Sequence, residues 1–96
     1  MTLHIVSKSP YSSSALSDCA DSCAEGDAIL LIEDAIYAAT EGYPALAEIT
    51  RRAAVYCLQS DADARGVIVG NNVEGVDEMR WVALCTEHNP IVSWFK

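Results

Sequence analysis

Apolar runs without alternation, separated by amphipathic stripes of helical period, predict an α/β domain: a mainly parallel sheet of about five strands with helices on both faces. Three observations carry this prediction. Segments 28–32 and 53–58 are apolar at successive positions, the second interrupted only by Tyr56, as in strands covered on both sides. Ala15, Leu16, Cys19, Ala20, Cys23 and Ala24 fall on one helical stripe. Strand-like and helix-like segments then alternate along the whole chain, at spacings that right-handed crossovers satisfy.

Taken in order, 3–6 reads as a short strand, and Pro10 keeps 7–11 out of a helix. Ser12 to Ser14 supply caps for the helix carrying the Ala15–Ala24 stripe, and Gly26 ends it. The strand 28–32 stops at Glu33 and Asp34. Asp34 is placed to cap a helical segment over 35–39, interrupted at Gly42 and resumed after Pro44 as far as Arg52. Segment 53–58 is the third strand. Ser60 with Asp63 three residues on resembles a capping box and opens a short helix that stops at Gly66. Val73 to Val76 forms a fourth strand, and Asp77 caps a helix whose inner face is assigned to Met79, Val82, Ala83, Leu84 and Cys85. Segment 91–95 closes the sheet.

With 96 residues the chain has room for one core, so 1–96 is read as one domain. It is 51% hydrophobic and 21% charged, too apolar for a disordered chain. A domain this small cannot hide all of that apolar surface, so part of it is expected to meet a partner. The longest apolar runs, about five or six residues, are far too short to span a membrane. The first residues lack a basic flank and a long apolar stretch, so no signal peptide is read and the expected compartment is the cytoplasm. There the four cysteines, Cys19, Cys23, Cys57 and Cys85, are expected as reduced thiols without a disulfide. A net charge of −8 repels polyanions, so no direct nucleic-acid binding is expected. The one basic pair, Arg51 and Arg52, reads as the solvated last turn of a helix.

Ligands of open α/β sheets bind beyond the carboxyl ends of the strands. The loops expected there offer Lys8, Ser9 and Tyr11, then Glu33 and Asp34, then Gln59, Ser60 and Asp61. No glycine-rich phosphate loop follows a strand, so no nucleotide cofactor is expected. Cys19 and Cys23, four apart, have the spacing of half a metal site that Cys85 and His88 would complete. Both cysteines lie on an apolar stripe, where a thiol packs as a small hydrophobe, so core packing is preferred and no metal is expected. His4, inside a strand, and His88, near a helix end, read as structural. No cysteine sits in a phosphate-type loop with a downstream arginine, as a rhodanese- or phosphatase-like enzyme requires. A receiver-type module is disfavoured because Ser7-Lys8-Ser9 and Gln59-Ser60 stand where its acidic residues belong.

Leu3-His4-Ile5-Val6-Ser7-Lys8-Ser9-Pro10-Tyr11, with Ala15-Leu16 and Cys19, resembles the start of the DsrH/TusB family of sulfur-relay proteins. Residues 25–39 are similar to the family's strand, its acidic end and a following Asp-Gly-Val/Ile-Tyr-Ala motif, with Ala35 in place of the glycine. Val55-Tyr56-Cys57-Leu58, the stretch from Asp61 to Gly66, and Trp94 resemble its later blocks, although the segment between Gly66 and Asp77 is short. The resemblance implies a DsrEFH-like three-layer sandwich that works as a subunit of an assembly rather than as a stand-alone enzyme. It implies a heterohexamer with two copies each of this chain, a DsrE/TusD-like and a DsrF/TusC-like subunit, passing persulfide sulfur to a downstream acceptor protein. Homo-oligomers are expected when the chain is made alone. The destination is 2-thiolation of the tRNA wobble uridine in the Tus branch, or cytoplasmic sulfur oxidation in the Dsr branch. The principal sulfur-accepting cysteine of such assemblies belongs to the DsrE/TusD partner. Cys19 matches the cysteine of DsrH-type members and is the candidate persulfide carrier of this chain, although its neighbours Asp18 and Asp21 oppose a thiolate. The alternative is a purely structural subunit with inert cysteines.

Overall fold

A computed structural model describes residues 1–94. Five strands, β1 (Leu3–Val6), β2 (Ala28–Leu31), β3 (Ala54–Leu58), β4 (Val73–Val76) and β5 (Ile91–Trp94), form one sheet in the order β4-β3-β2-β1-β5. All four pairings are parallel, with Leu3 opposite both Ala28 and Ile91. Phe95, the last residue expected in β5, lies outside the described residues.

The chain first moves outward from β1 to β4, crossing through α1 (Ala15–Ser22), a 3-10 helix (Glu33–Ala38) with α2 (Leu46–Arg52), and α3 (Gln59–Ala64). It then returns through α4 (Glu78–Glu87) to lay β5 beside β1. Right-handed crossovers put their helix on the opposite face when the direction of travel reverses. One core accordingly packs Leu16, Cys19, Ile36, Leu46, Ile49 and Ala62 against Val6, Ile29, Leu31 and Cys57. A second, smaller core packs Leu84, with Trp81 and Cys85 at its margin, against Leu3, Ala28, Leu30 and Val76. Ile29 and Leu31 serve the first core while Ala28 and Leu30 serve the second, which is why this strand tolerates no polar position.

Several local expectations are corrected. α1 ends at Ser22 because Cys23 turns to extended backbone, leaving Cys23 and Ala24 beyond the helix. Asp34 does not cap the next segment, which begins at Glu33 as a 3-10 helix; its carboxylate pairs with Arg65 instead. α3 starts at Gln59, whose side-chain amide donates to Asp63, so Ser60 and Asp63 form no capping box. Asp77 does cap α4, accepting from the Arg80 amide at 2.8 Å. The inner stripe of α4 is Trp81, Leu84 and Cys85, at i, i+3 and i+4, whereas Met79 and Val82 point outward, 82% and 64% exposed. Arg51 and Arg52 stand in the last turn of α2 and pair with Glu48, as the dipole favours.

Candidate functional site

Two clusters of polar side chains sit at opposite ends of the sheet. At the carboxyl ends of β1, β2 and β5, a groove of about 450 Å³ is lined by Ile5, Ser7, Lys8, Ile32, Glu33, Trp81, Ser93 and Trp94. It opens because α4 alone covers this side of the sheet and leaves the β1–β5 edge bare, with Ile91 46% exposed. Lys8 and Glu33 both line this groove, at the strand ends where the sequence places them. Glu33 has a φ of +50°, a conformation non-glycine residues adopt at a cost. Its amide donates to Asp61 at 2.7 Å, and Arg65 reaches both Asp34 and Asp61, so the third loop fixes the second. Ser9 and Tyr11 do not line the groove: Ser9 accepts from the Tyr11 amide, and the Tyr11 ring meets Tyr43 edge-on. Gln59 and Ser60 turn toward Asp63 and Glu78.

At the amino ends of the strands, Asp27 lies just before β2 and His4 inside β1, both buried. The Asp27 carboxylate accepts from the Thr2 amide at 2.9 Å, the Ala24 amide at 3.0 Å and His4 Nε2 at 3.0 Å. Trp94 Nε1 donates to His4 Nδ1 at 3.1 Å. An indole N–H only donates, so Nδ1 is the unprotonated nitrogen and the ring carries its proton on Nε2, toward Asp27. The Ala24 and Thr2 amides, then His4, hold the Asp27 carboxyl down at about 2. This Trp94–His4–Asp27 chain ties β5, β1 and the entry to β2 together.

Cys19 and Cys23 adjoin this network. Cys19 is fully enclosed in the first core, and burial, then the neighbouring Cys23, push its thiol strongly up. Cys23 is half-buried; burial and then Asp27 raise its thiol, while a hydrogen bond from Cys19 and the charge of Arg52 work in the opposite sense. Cys57 is buried inside β3 and pushed up to about 11, by burial and then Asp63. All four cysteines are free thiols.

The metal set considered from sequence spacing is not assembled. Cys19 and Cys23 lie on the α1 side of the sheet, Cys85 lies on the α4 side, and His88 Nδ1 is engaged with the Leu84 carbonyl at 2.9 Å. The structure instead gathers ligand-type atoms of His4, Cys23 and Asp27 within 4.8 Å of one another. The imidazole nitrogens are already taken by Asp27 and Trp94, and the carboxylate oxygens by the Thr2 and Ala24 amides and His4, which describes a structural network. The sequence presents His4 as a lone structural histidine and does not single out Asp27 or pair it with Trp94. The available signal is a histidine in an otherwise apolar strand together with an acid at the mouth of the next strand.

A five-stranded parallel sheet of this order, helices on both faces and no glycine-rich loop define a DsrEFH-like subunit fold. The YchN protein of E. coli shares that fold, with a TM-score of 0.77 over 98% of this chain and 99% of its own, at 16% identity. The family model described as DsrH like protein matches residues 8–91. Protein TusB of Pectobacterium parmentieri is 35% identical over 96% of this chain and 99% of its own length. Protein TusB of Photorhabdus laumondii is 35% identical over the same shares. The chain belongs to the DsrH/TusB family, and this membership supports its reading as a sulfur-relay subunit. Among the described residues no helix is long and apolar enough to cross a membrane.

Proposed function

We propose that this chain is the TusB-like subunit of a cytoplasmic persulfide relay serving 2-thiolation of the tRNA wobble uridine. In this reading it assembles with DsrE/TusD-like and DsrF/TusC-like subunits into a heterohexamer. The observation that carries the reading is the 35% identity to TusB proteins across nearly the whole chain. Surface chemistry is in keeping with it. Met79 and Val82 on α4, with Ile91 and Val92 on the edge strand β5, expose apolar side chains that an assembly would cover. The net charge of −8 leaves RNA contact to other subunits. The enclosure of Cys19 favours a sulfur-accepting thiol on the DsrE/TusD-like partner as the principal one, with this chain as its support.

A second reading, a DsrH-type role in sulfur oxidation, is favoured by Cys19, which matches the cysteine of that branch. One experiment separates them. The gene is introduced into a bacterium that lacks its own TusB, and 2-thiouridine in digested tRNA is measured by mass spectrometry. Restoration of the thiolated nucleoside is expected. Unchanged absence, with the chain expressed and bound to its partners, would overturn the tRNA reading.

A further inference from the structure

We propose that the β5 edge of the sheet docks a second copy of this chain, the two β5 strands pairing antiparallel about a two-fold axis at Val92. β5 closes the sheet and is hydrogen-bonded on one side only, to β1. The ladder shows which of its main-chain groups are left over. Leu3 donates its amide to the Pro90 carbonyl at 3.1 Å, so Pro90 turns toward β1. Main-chain groups of successive strand residues point to opposite edges, so Val92 and Trp94 turn toward β1 as well. Ile91 and Ser93 therefore each present an N–H and a C=O outward, and both residues are exposed.

An open edge of this kind accepts another strand unless charge or a covering element guards it. The opposite edge is guarded, because β4 carries Glu74 exposed in mid-strand. β5 has no such guard. Ile91, Val92, Ser93 and Trp94 are all uncharged, and Ile91 and Val92 are 46% and 36% exposed. Charge then bears on the occupant. Each copy carries a net −8, so two copies repel one another wherever their acidic surfaces face. A neutral, apolar strand lets them meet without setting like charges side by side.

The free groups are also self-complementary. With the axis at Val92, Ile91 of one copy lies opposite Ser93 of the other, and each such pair exchanges both of its N–H···O=C bonds. Val92 then faces its own counterpart in the position without hydrogen bonds, where Cα atoms lie about 4.5 Å apart and side chains touch. Register with β1 sets the faces. Ile91 is opposite Leu3 and shares the α4 face, while Val92 shares the α1 face with Trp94. A two-fold axis normal to the sheet keeps these faces matched, so Val92 meets Val92 on one side and Ile91 meets Ser93 on the other. The two sheets become one.

Light scattering of the isolated full chain after size exclusion tests this, with twice the 10.3 kDa of one chain as the expected mass. Added salt should tighten the dimer, since it screens the repulsion between two copies of charge −8. Val92→Lys and Val92→Glu each set like charges opposite one another at the axis and should weaken the dimer by at least about tenfold. Mixed in equal amounts they should restore it, because the ammonium then faces the carboxylate. Ser93→Pro removes an outward N–H and no bond to β1, and should weaken the dimer even if a charge at Val92 loosens the fold. A monomeric wild type, or a dimer that all three variants leave intact, would overturn the proposal. Weakened variants that do not restore one another on mixing would overturn the axis at Val92. A monomer whose Val92→Lys variant loses its DsrE- and DsrF-like partners would give the edge to a partner subunit instead. The relay reading is tested separately by tRNA thiolation and stands whichever way this result falls.

Discussion

Asp27→Asn tests the buried network most sharply, because the substitution preserves shape and removes only charge and one acceptor. The carboxylate has three donors, the Ala24 and Thr2 amides and His4 Nε2, each within 3.0 Å. Asparagine offers one oxygen to them and must point its amide nitrogen at a remaining N–H, which leaves a buried donor unsatisfied. The carboxyl is held at about 2 against an ordinary 3.8, a difference equivalent to about 2 kcal/mol of stabilisation at neutral pH. The sign is fixed by which state binds the proton first. The unfolded carboxyl protonates at higher pH than the folded one, so the stabilisation is complete above about pH 4 and fades as pH falls toward 2. For a domain of this size, about 2 kcal/mol moves the Tm by about 8–16 °C. Thermal unfolding followed by circular dichroism, from pH 7 down to pH 2, should show the variant lower by that amount at pH 7. The gap should narrow steadily below pH 4. A variant within about 2 °C of wild type at pH 7, or a gap that does not change with pH, would refute the reasoning.

Other outcomes follow from the two faces of α4 and from the thiols. Leu84→Ala, at a fully enclosed position in the smaller core, should cost about 2–5 kcal/mol in denaturant unfolding. Met79→Ser with Val82→Ser, both outward, should change the isolated chain by less than about 0.5 kcal/mol, yet weaken binding to the partner subunits in a pull-down. Gly26→Ala should destabilise by about 1 kcal/mol or more in the same unfolding assay, since φ is +88° and the new Cβ would lie 2.9 Å from the Met1 sulfur. An aromatic disulfide reagent at pH 8 should react slowly with Cys57, whose thiol is pushed up to about 11, and rapidly only after denaturation.

Continuity of the signal along the chain separates what the sequence discloses from what it hides. β2 is legible because Ala28, Ile29, Leu30 and Leu31 must face two cores at once, and α1 because its stripe from Ala15 to Ala20 is locally periodic. The Asp77 cap is legible because its acceptor lies three residues away. The inner face of α4 is legible only in part: Leu84 and Cys85 are placed correctly, but Met79 and Val82 are taken for it in place of Trp81, because the helix carries two apolar stripes of similar spacing. Only the packed sheet decides between them. The Trp94–His4–Asp27 network joins residues 23 and 90 positions apart, and no local pattern encodes such a pairing. Lys8 and Glu33 are legible at the groove because strand ends of a parallel sheet converge by topology. Trp81 and Trp94 are not, since their arrival depends on where α4 and β5 return.

The proposed function requires this chain to complete a sulfur-relay assembly. Coexpression with DsrE- and DsrF-like subunits, followed by size-exclusion chromatography with light scattering, measures it directly. A single species containing all three chains in equal amounts, with the mass of two copies of each, is the predicted result. Elution of this chain apart from both partners, with the other two assembled without it, would contradict the account.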